Sequence, residues 1–198
     1  MDHADHVGLI RAGVLDAPPP PADRAPIWAD IGAGSGAFTL ALADLLGPGA
    51  TVIAVDRDAG ALRTNAAAVA GRFPATQLRT LVADLEGSLD LPPLDGLVAA
   101  NSLHFVPRDR QVSAVRHLAA SLAPDGAFVV VEYDADRGNP WVPHPFSAAT
   151  WATLAVAAGL APPTVIGRVP SRFLGAIYAA VTRPVSTVAS RSMSAGST

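Results

Sequence analysis

Residues 27–38 read Ile27-Trp28-Ala29-Asp30-Ile31-Gly32-Ala33-Gly34-Ser35-Gly36-Ala37-Phe38. An apolar run closes on Asp30, three alternate glycines follow, and an amphipathic pattern begins at once. This is the order strand, Gly-rich turn, helix N-terminus. Gly32, Gly34 and Gly36 remove side chains where a ligand needs close backbone approach. The helix start offers free N–H groups and the positive end of its dipole. Asp30 adds a carboxylate two residues before the first glycine. A dinucleotide fingerprint needs no acid there, whereas a site for a cationic ligand gains from one.

Outward from this stretch the pattern alternates. Towards the C-terminus, Phe38, Leu42, Leu45 and Leu46 repeat at helical spacing and Gly47-Pro48-Gly49 stops them. Residues 51–55 form a β-branched strand ending at Asp56. Leu62, Ala66 and Val69 mark a helix stopped near Gly71. Residues 77–83 read as a third strand ending at Asp84, and 85–94 as a loop rich in Pro and Asp. Residues 97–100 are a short fourth strand with Asn101 at its end. Pro107 suits the first turn of a helix whose buried face is Val112, Val115, Leu118, Ala119 and Leu122. Pro124-Asp125-Gly126 reads as a turn into 127–133, an apolar strand buried on both faces. Residues 134–145 form a polar loop, Trp151, Leu154, Ala155 and Ala158 a helix. Strands near 163–169 and 173–182 are joined too briefly for a parallel crossover and must form an antiparallel hairpin.

Strands alternating with helices imply an α/β fold: a three-layer α/β/α Rossmann-like sandwich with a mostly parallel seven-stranded sheet and a C-terminal antiparallel hairpin. Towards the N-terminus, residues 1–26 form a weakly amphipathic helix around Val7, Ile10, Val14 and Leu15, then a Pro-rich linker. Residues 27–183 make the domain. Residues 184–198, rich in Ser, Ala and Thr, predict a disordered tail.

Ligands in open α/β sheets sit outside the carboxyl ends of the strands. Here those ends carry Asp30, Asp56, Asp84 and Asn101 in chain order. One such residue is an ordinary strand terminator; four in succession, the first joined to three glycines, indicate a binding site. Asp56 lies 20 residues after Gly36 (56 − 36), a spacing that suits an acid reaching a ribose diol. The spacing fits a nicotinamide dinucleotide as well as another adenosyl ligand.

The ordered set resembles the class I S-adenosylmethionine-dependent methyltransferases. It comprises Asp-x-Gly-x-Gly-x-Gly, the acid ending the second strand, Val-Ala-Asp ending the third, Ala-Asn-Ser-Leu-His after the fourth, and Leu-Ala-Pro-Asp-Gly before the fifth. The last is similar to the family's usual Leu-Lys-Pro-Gly-Gly turn, with both departures in a structural element. The resemblance covers about residues 27–182. It implies that Gly32, Gly34 and Gly36 floor the methionine part of S-adenosylmethionine, with Asp30 near its amino acid end. It implies that Asp56 accepts both ribose hydroxyls and Arg57 lies along the adenine. Asp84 would accept from the adenine amino group, Leu85 would donate a backbone N–H, and Asn101 would contact the methionine group. The product would be S-adenosylhomocysteine.

The same resemblance puts His104 near the transferred methyl, where it is either a general base for an oxygen or nitrogen acceptor or a packed structural group. Methyl transfer proceeds with or without a base, since the sulfonium is already activated and positioning supplies much of the acceleration. Tyr133, Glu132, Trp141 and His144 bracket the loop after the fifth strand, a region that often touches the acceptor in this family. The implied partner is a small molecule methylated on O, N or C. The alternatives are a nicotinamide-dependent oxidoreductase, opposed by Asp30, Asp84 and the terminal hairpin, and a methyltransferase-like domain that binds without turnover.

Composition bounds these readings. The 198 residues carry 50% hydrophobic and 16% charged side chains, as in a globular domain. Net charge is −3, and the 14 basic residues are all Arg, scattered without the stripe of a nucleic-acid surface. Without Cys or Lys, thiolate nucleophiles, disulfides and lysine Schiff bases are excluded. His3 and His6 read as a solvated helix end rather than a metal pair, and Asn101 stands where a metal-dependent relative would carry an acid, so no metal is expected. No basic, apolar leader opens the chain and its apolar runs are too short to cross a bilayer, so a cytoplasmic location is expected, as monomer or homodimer.

Overall fold

The computed structural model describes residues 1–87 and 89–185. The chain runs α1 (His3–Leu15), β1 (Ile27–Ile31), α2 (Ala37–Leu46), β2 (Thr51–Asp56), α3 (Ala59–Arg72), β3 (Gln77–Val82), β4 (Leu94–Ala100), α4 (Arg108–Ala119), β5 (Leu122–Tyr133), α5 (Ala148–Ala157), β6 (Thr164–Ser171) and β7 (Gly175–Thr182). The seven strands form one sheet in the order β3-β2-β1-β4-β5-β7-β6. β1 to β5 pair in parallel, while β7 lies antiparallel to both β5 and β6. The Rossmann-like sandwich and its terminal hairpin are as the pattern implies.

Side-chain alternation along the strands builds a core on each face. Ala29, Ile31, Ile53, Val55, Leu97, Phe128, Val130 and Tyr178 pack under Val115 and Leu118 of α4 and Trp151 of α5. Trp28, Val52, Val98, Val129 and Ala179 pack under Val7, Ile10 and Val14 of α1 and Phe38 and Leu42 of α2. Asp2 caps α1: its carboxylate accepts the Asp5 N–H, and the Asp5 carboxylate accepts the Asp2 N–H. The two N-terminal histidines go to different partners. His3 pairs with Asp44 at 3.1 Å, and the His6 ring meets the Phe38 ring edge-on at 4.9 Å.

Two boundaries differ from the sequence reading. β4 begins at Leu94, three residues before the expected 97, because Asp95 and Gly96 are strand residues with specific partners. The Asp95 carboxylate accepts two bonds from Arg24, each 2.6 Å, and the Ile27 N–H at 2.8 Å. Gly96 lies opposite Trp28, and a Cβ there would stand 2.4 Å from the indole. The second difference is at the start of β5: Leu122, expected on the buried face of the preceding helix, is its first residue, and Pro124-Asp125-Gly126, expected as a turn, lie inside it. The ladder jumps from Leu94↔Leu122 to Gly96↔Ala127, so these residues bulge out of register with β4. The expected tail lies outside the described residues from 186 onward, while Pro184 pairs with Leu160.

Candidate functional site

The strand order reverses between β1 and β4, and the crevice at this switch point is where an α/β sheet holds its ligand. A cavity of about 310 Å³ opens there. Of the residues singled out in sequence, Gly32, Asp56, Arg57, Asp84, Leu85 and Asn101 line it. Ser102, Phe105 and Val106 complete the wall on the β4 side, and Glu86 on the β3 side.

The glycine turn is held from below. The N–H groups of Gly32 and Ala33 both donate to the Val55 carbonyl, at 2.8 and 2.9 Å. All three glycines have positive φ, between 51° and 102°. Their neighbours differ. A Cβ on Gly32 would stand 2.4 Å from the Ser102 Cβ, and one on Gly36 would stand 2.5 Å from Asn65 Oδ1. Among the described residues, a Cβ on Gly34 would meet no atom within 4 Å. Gly32 and Gly36 are thus demanded by the fold, and Gly34 leaves space free above the turn. Gly36 caps α2 without a side-chain hydrogen bond, so the first-turn N–H groups keep their donor capacity.

Asp56 supports the same turn. Its Oδ2 accepts the Gly34 N–H and its Oδ1 the Asp58 N–H, both at 2.8 Å. Each carboxylate oxygen keeps a further lone pair for a ligand hydroxyl. Asp84 Oδ1 accepts the Glu86 N–H at 3.0 Å, which curls the chain around Leu85. Glu86 in turn pairs with Arg110 of α4 at 3.0 Å.

Asp30 does not line the cavity. It lies sealed beneath the turn, where the Thr39 hydroxyl donates to Oδ2 at 2.6 Å and Asn65 Nδ2 donates to Thr39 Oγ1 at 2.7 Å. Asn65 Oδ1 has no partner. Burial pushes the Asp30 carboxyl up to about 7; the Thr39 bond pulls it partly back and nearby Asp56 adds to the rise. A positive ligand group at the turn would favour its ionised form.

Asn101 has φ +50°, a left-handed conformation among non-glycine residues otherwise absent from the described residues. Its backbone N–H donates to the Val131 carbonyl at 2.8 Å. Its Oδ1 and the neighbouring Ser102 Oγ are buried without partners among the described residues. Two orphaned polar atoms in the wall of a cavity are what a polar ligand would satisfy.

His104 and the residues singled out around the loop after β5 are more dispersed. His104 sits in a 3₁₀ turn, Leu103–Phe105. It is 3% exposed and bonded to buried Glu132, with Nδ1 2.9 Å from each carboxylate oxygen. His104 does not line the cavity; Phe105, which does, lies against the histidine with ring centroids 4.3 Å apart. The Tyr133 ring is 6.0 Å from the His104 ring. His144 meets His104 through backbone, donating its N–H to the His104 carbonyl at 3.0 Å. Trp141 is 83% exposed on the loop after β5. Sequence reasoning missed Ser102 and Phe105, although both flank residues it chose. It also missed Thr39 and Asn65, whose helical spacing gives no sign of a buried polar network.

A family model described as a methyltransferase domain matches residues 29–128, just over half the chain. No curated protein matches. Among solved structures, the YcgJ protein of Bacillus subtilis is 17% identical with a TM-score of 0.68, covering 92% of this chain and 100% of its own. A 1,6-didemethyltoxoflavin-N1-methyltransferase of Burkholderia thailandensis, bound to 1,6-didemethyltoxoflavin and S-adenosylhomocysteine, is 23% identical with a TM-score of 0.70, covering 92% and 78%. An S-adenosylmethionine-dependent methyltransferase of Leishmania major is 18% identical with a TM-score of 0.70, covering 90% and 72%. Each shares the fold described above, and the matched segment runs from β1 into β5, through the glycine turn and the strand-end acids: the chain belongs to the methyltransferase-domain family.

Proposed function

We propose that this chain transfers a methyl group from S-adenosylmethionine to an oxygen or nitrogen of a small-molecule acceptor, with residues 27–183 as the catalytic unit. The observation that carries the reading is the cavity at the sheet's switch point, walled by Asp56, Asp84, Leu85 and Asn101 around the first glycine. The residues fit the adenosyl ligand. Asp56 has a free lone pair on each oxygen for a ribose diol, with Arg57 beside it along the base. Asp84 and the Leu85 N–H suit the two edges of an adenine. Gly34 leaves room above the turn, and orphaned Asn101 Oδ1 is an acceptor for an ammonium. Asp30 lies below that end as a carboxylate poised to ionise.

When bound, the sulfonium supplies an electrophilic methyl that needs no further activation. What remains for the chain is to hold the acceptor in line and exclude water. His104 is the base in this reading, reached past half-exposed Phe105, with Tyr133 and the loop carrying Trp141 and His144 around the acceptor. Support for a small acceptor comes from the Burkholderia neighbour, which holds 1,6-didemethyltoxoflavin. No helix among the described residues is long and apolar enough to cross a membrane.

The test is calorimetry of the full chain with S-adenosylmethionine, S-adenosylhomocysteine and NADH. A panel of hydroxylated and amino-substituted heteroaromatics is then assayed by release of S-adenosylhomocysteine. The expected result is binding of the first two ligands, no response to NADH, and methylation of a panel member. NADH binding with neither sulfur ligand bound at millimolar concentration would replace this reading with the oxidoreductase one.

A further inference from the structure

Glu132 is the penultimate residue of β5, on the core face under α4 and α5 and fully buried. Its Oε1 accepts the Tyr133 N–H at 2.7 Å, and both its oxygens stand 2.9 Å from His104 Nδ1. A carboxylate only accepts hydrogen bonds, so where Glu132 is the acceptor of this pair the proton lies on Nδ1. The other ring nitrogen of a neutral imidazole then carries the lone pair. Among the described residues Nε2 has no hydrogen-bond partner. Neighbouring Asp134 is engaged elsewhere, with Arg168 and the Ala148 N–H, and does not compete for the ring.

We propose that Glu132 is the positioning residue for His104: it holds the ring as the Nδ1–H tautomer and leaves Nε2 as the nitrogen that takes a proton from the acceptor. The inference rests on the methyl-transfer reading and narrows its substrate class. A base so arranged serves an acceptor that keeps its proton until transfer, an X–H group with X oxygen or nitrogen. A carboxylate acceptor, already ionised, has no use for Nε2. As X forms its bond to the methyl carbon, the carbon–sulfur electron pair stays with sulfur, which becomes a neutral thioether. The X–H proton passes to Nε2, and the imidazolium so formed is stabilised by the Glu132 carboxylate on its other side.

Glu132→Gln is the informative variant. It is nearly isosteric but must direct an amide NH₂ either at His104 Nδ1 or at the Tyr133 N–H, setting donor against donor. The experiment is the ring ¹⁵N spectrum of the full chain, labelled at histidine and loaded with S-adenosylhomocysteine at pH 8. The wild type is expected to show protonated Nδ1 and bare Nε2, and Glu132→Gln to shift the ring towards Nε2–H. In parallel, kcat with panel acceptors should fall about 10²–10⁴-fold while KM stays within about twofold. A wild-type ring that is Nε2–H, or protonated on both nitrogens at pH 8, overturns the proposal without recourse to any variant. So does a Glu132→Gln protein that only melts earlier, with tautomer and kcat unchanged. Failure of the methyl-transfer reading is seen separately, as loss of calorimetric cofactor binding with the wild-type ring spectrum intact.

Discussion

At the residue scale, Asp30 converts burial into a pH dependence. Its folded pKa, about 7, lies above the unfolded value of 3.8. Between those values the unfolded chain releases a proton that the native chain keeps, so stability falls as pH rises from about 4 to about 7 and then levels off. Three units correspond to a loss on the order of 4 kcal/mol. Asp30→Asn keeps an acceptor for the Thr39 hydroxyl and has no charge to bury. The ligand-free variant should melt higher than wild type at pH 8, with the difference shrinking towards pH 4. The same change should weaken binding of S-adenosylmethionine, whose cationic end favours the ionised carboxyl. Parallel melting curves across this range would remove Asp30 from the pH response. Gly34 offers a complementary case. Gly34→Ala costs about 1–2 kcal/mol of backbone strain at φ +51° but meets no protein atom, so the fold should survive while cofactor affinity drops. Unchanged affinity in calorimetry would mean that the space above Gly34 is not the ligand's.

At the element scale, β1 is anchored by a residue that the sequence reading leaves between the 85–94 loop and the fourth strand. Asp95 sits inside β4, where its carboxylate takes the Arg24 guanidinium and the first N–H of β1. Asp95→Ala strands the Ile27 N–H and one edge of Arg24 and should cost about 2–3 kcal/mol, read as a lower denaturation midpoint at unchanged slope. A midpoint equal to wild type would reduce the pair to a surface contact. The case shows what was legible. Elements whose cause is local, such as the glycine turn, the β-branched run of β2 and the apolar run of β5, could be read directly. Elements whose cause is distant could not: Asp95 answers to Arg24, Gly96 to the Trp28 ring, and the Pro124–Gly126 bulge to the register of β4. The site divides the same way. Asp56, Asp84 and Asn101 were visible because strand ends repeat in order. The pairing of His104 with Glu132 was not, because nothing local joins a residue after β4 to one at the end of β5.

At the scale of the whole molecule, the switch point separates two duties. On one side stand the glycine turn, Asp56 and Asp84 of β1 to β3, together with Asn101 after β4; on the other stand His104, just past β4, and Glu132 near the end of β5. If the first side holds the cofactor and the second handles the acceptor, variants on each should split cleanly between binding and turnover. Asp56→Ala removes two carboxylate acceptors and releases the Gly34 N–H. It should weaken S-adenosylhomocysteine by roughly 2–4 kcal/mol and cancel most of the rise in Tm that saturating ligand gives the wild type. For His104, alanine is the wrong probe, because it leaves Glu132 buried with the Tyr133 N–H alone and confuses folding with chemistry. His104→Asn can keep an amide donor towards Glu132 while deleting Nε2. It should bind S-adenosylhomocysteine within about twofold of wild type and slow methyl transfer by about 10²–10⁴-fold. In the double variant the binding loss should equal that of Asp56→Ala within about 0.5 kcal/mol, since the two side chains share no partner. A His104→Asn protein that loses cofactor affinity as Asp56→Ala does would place the histidine on the cofactor. One that turns over like wild type would leave the transfer to positioning alone.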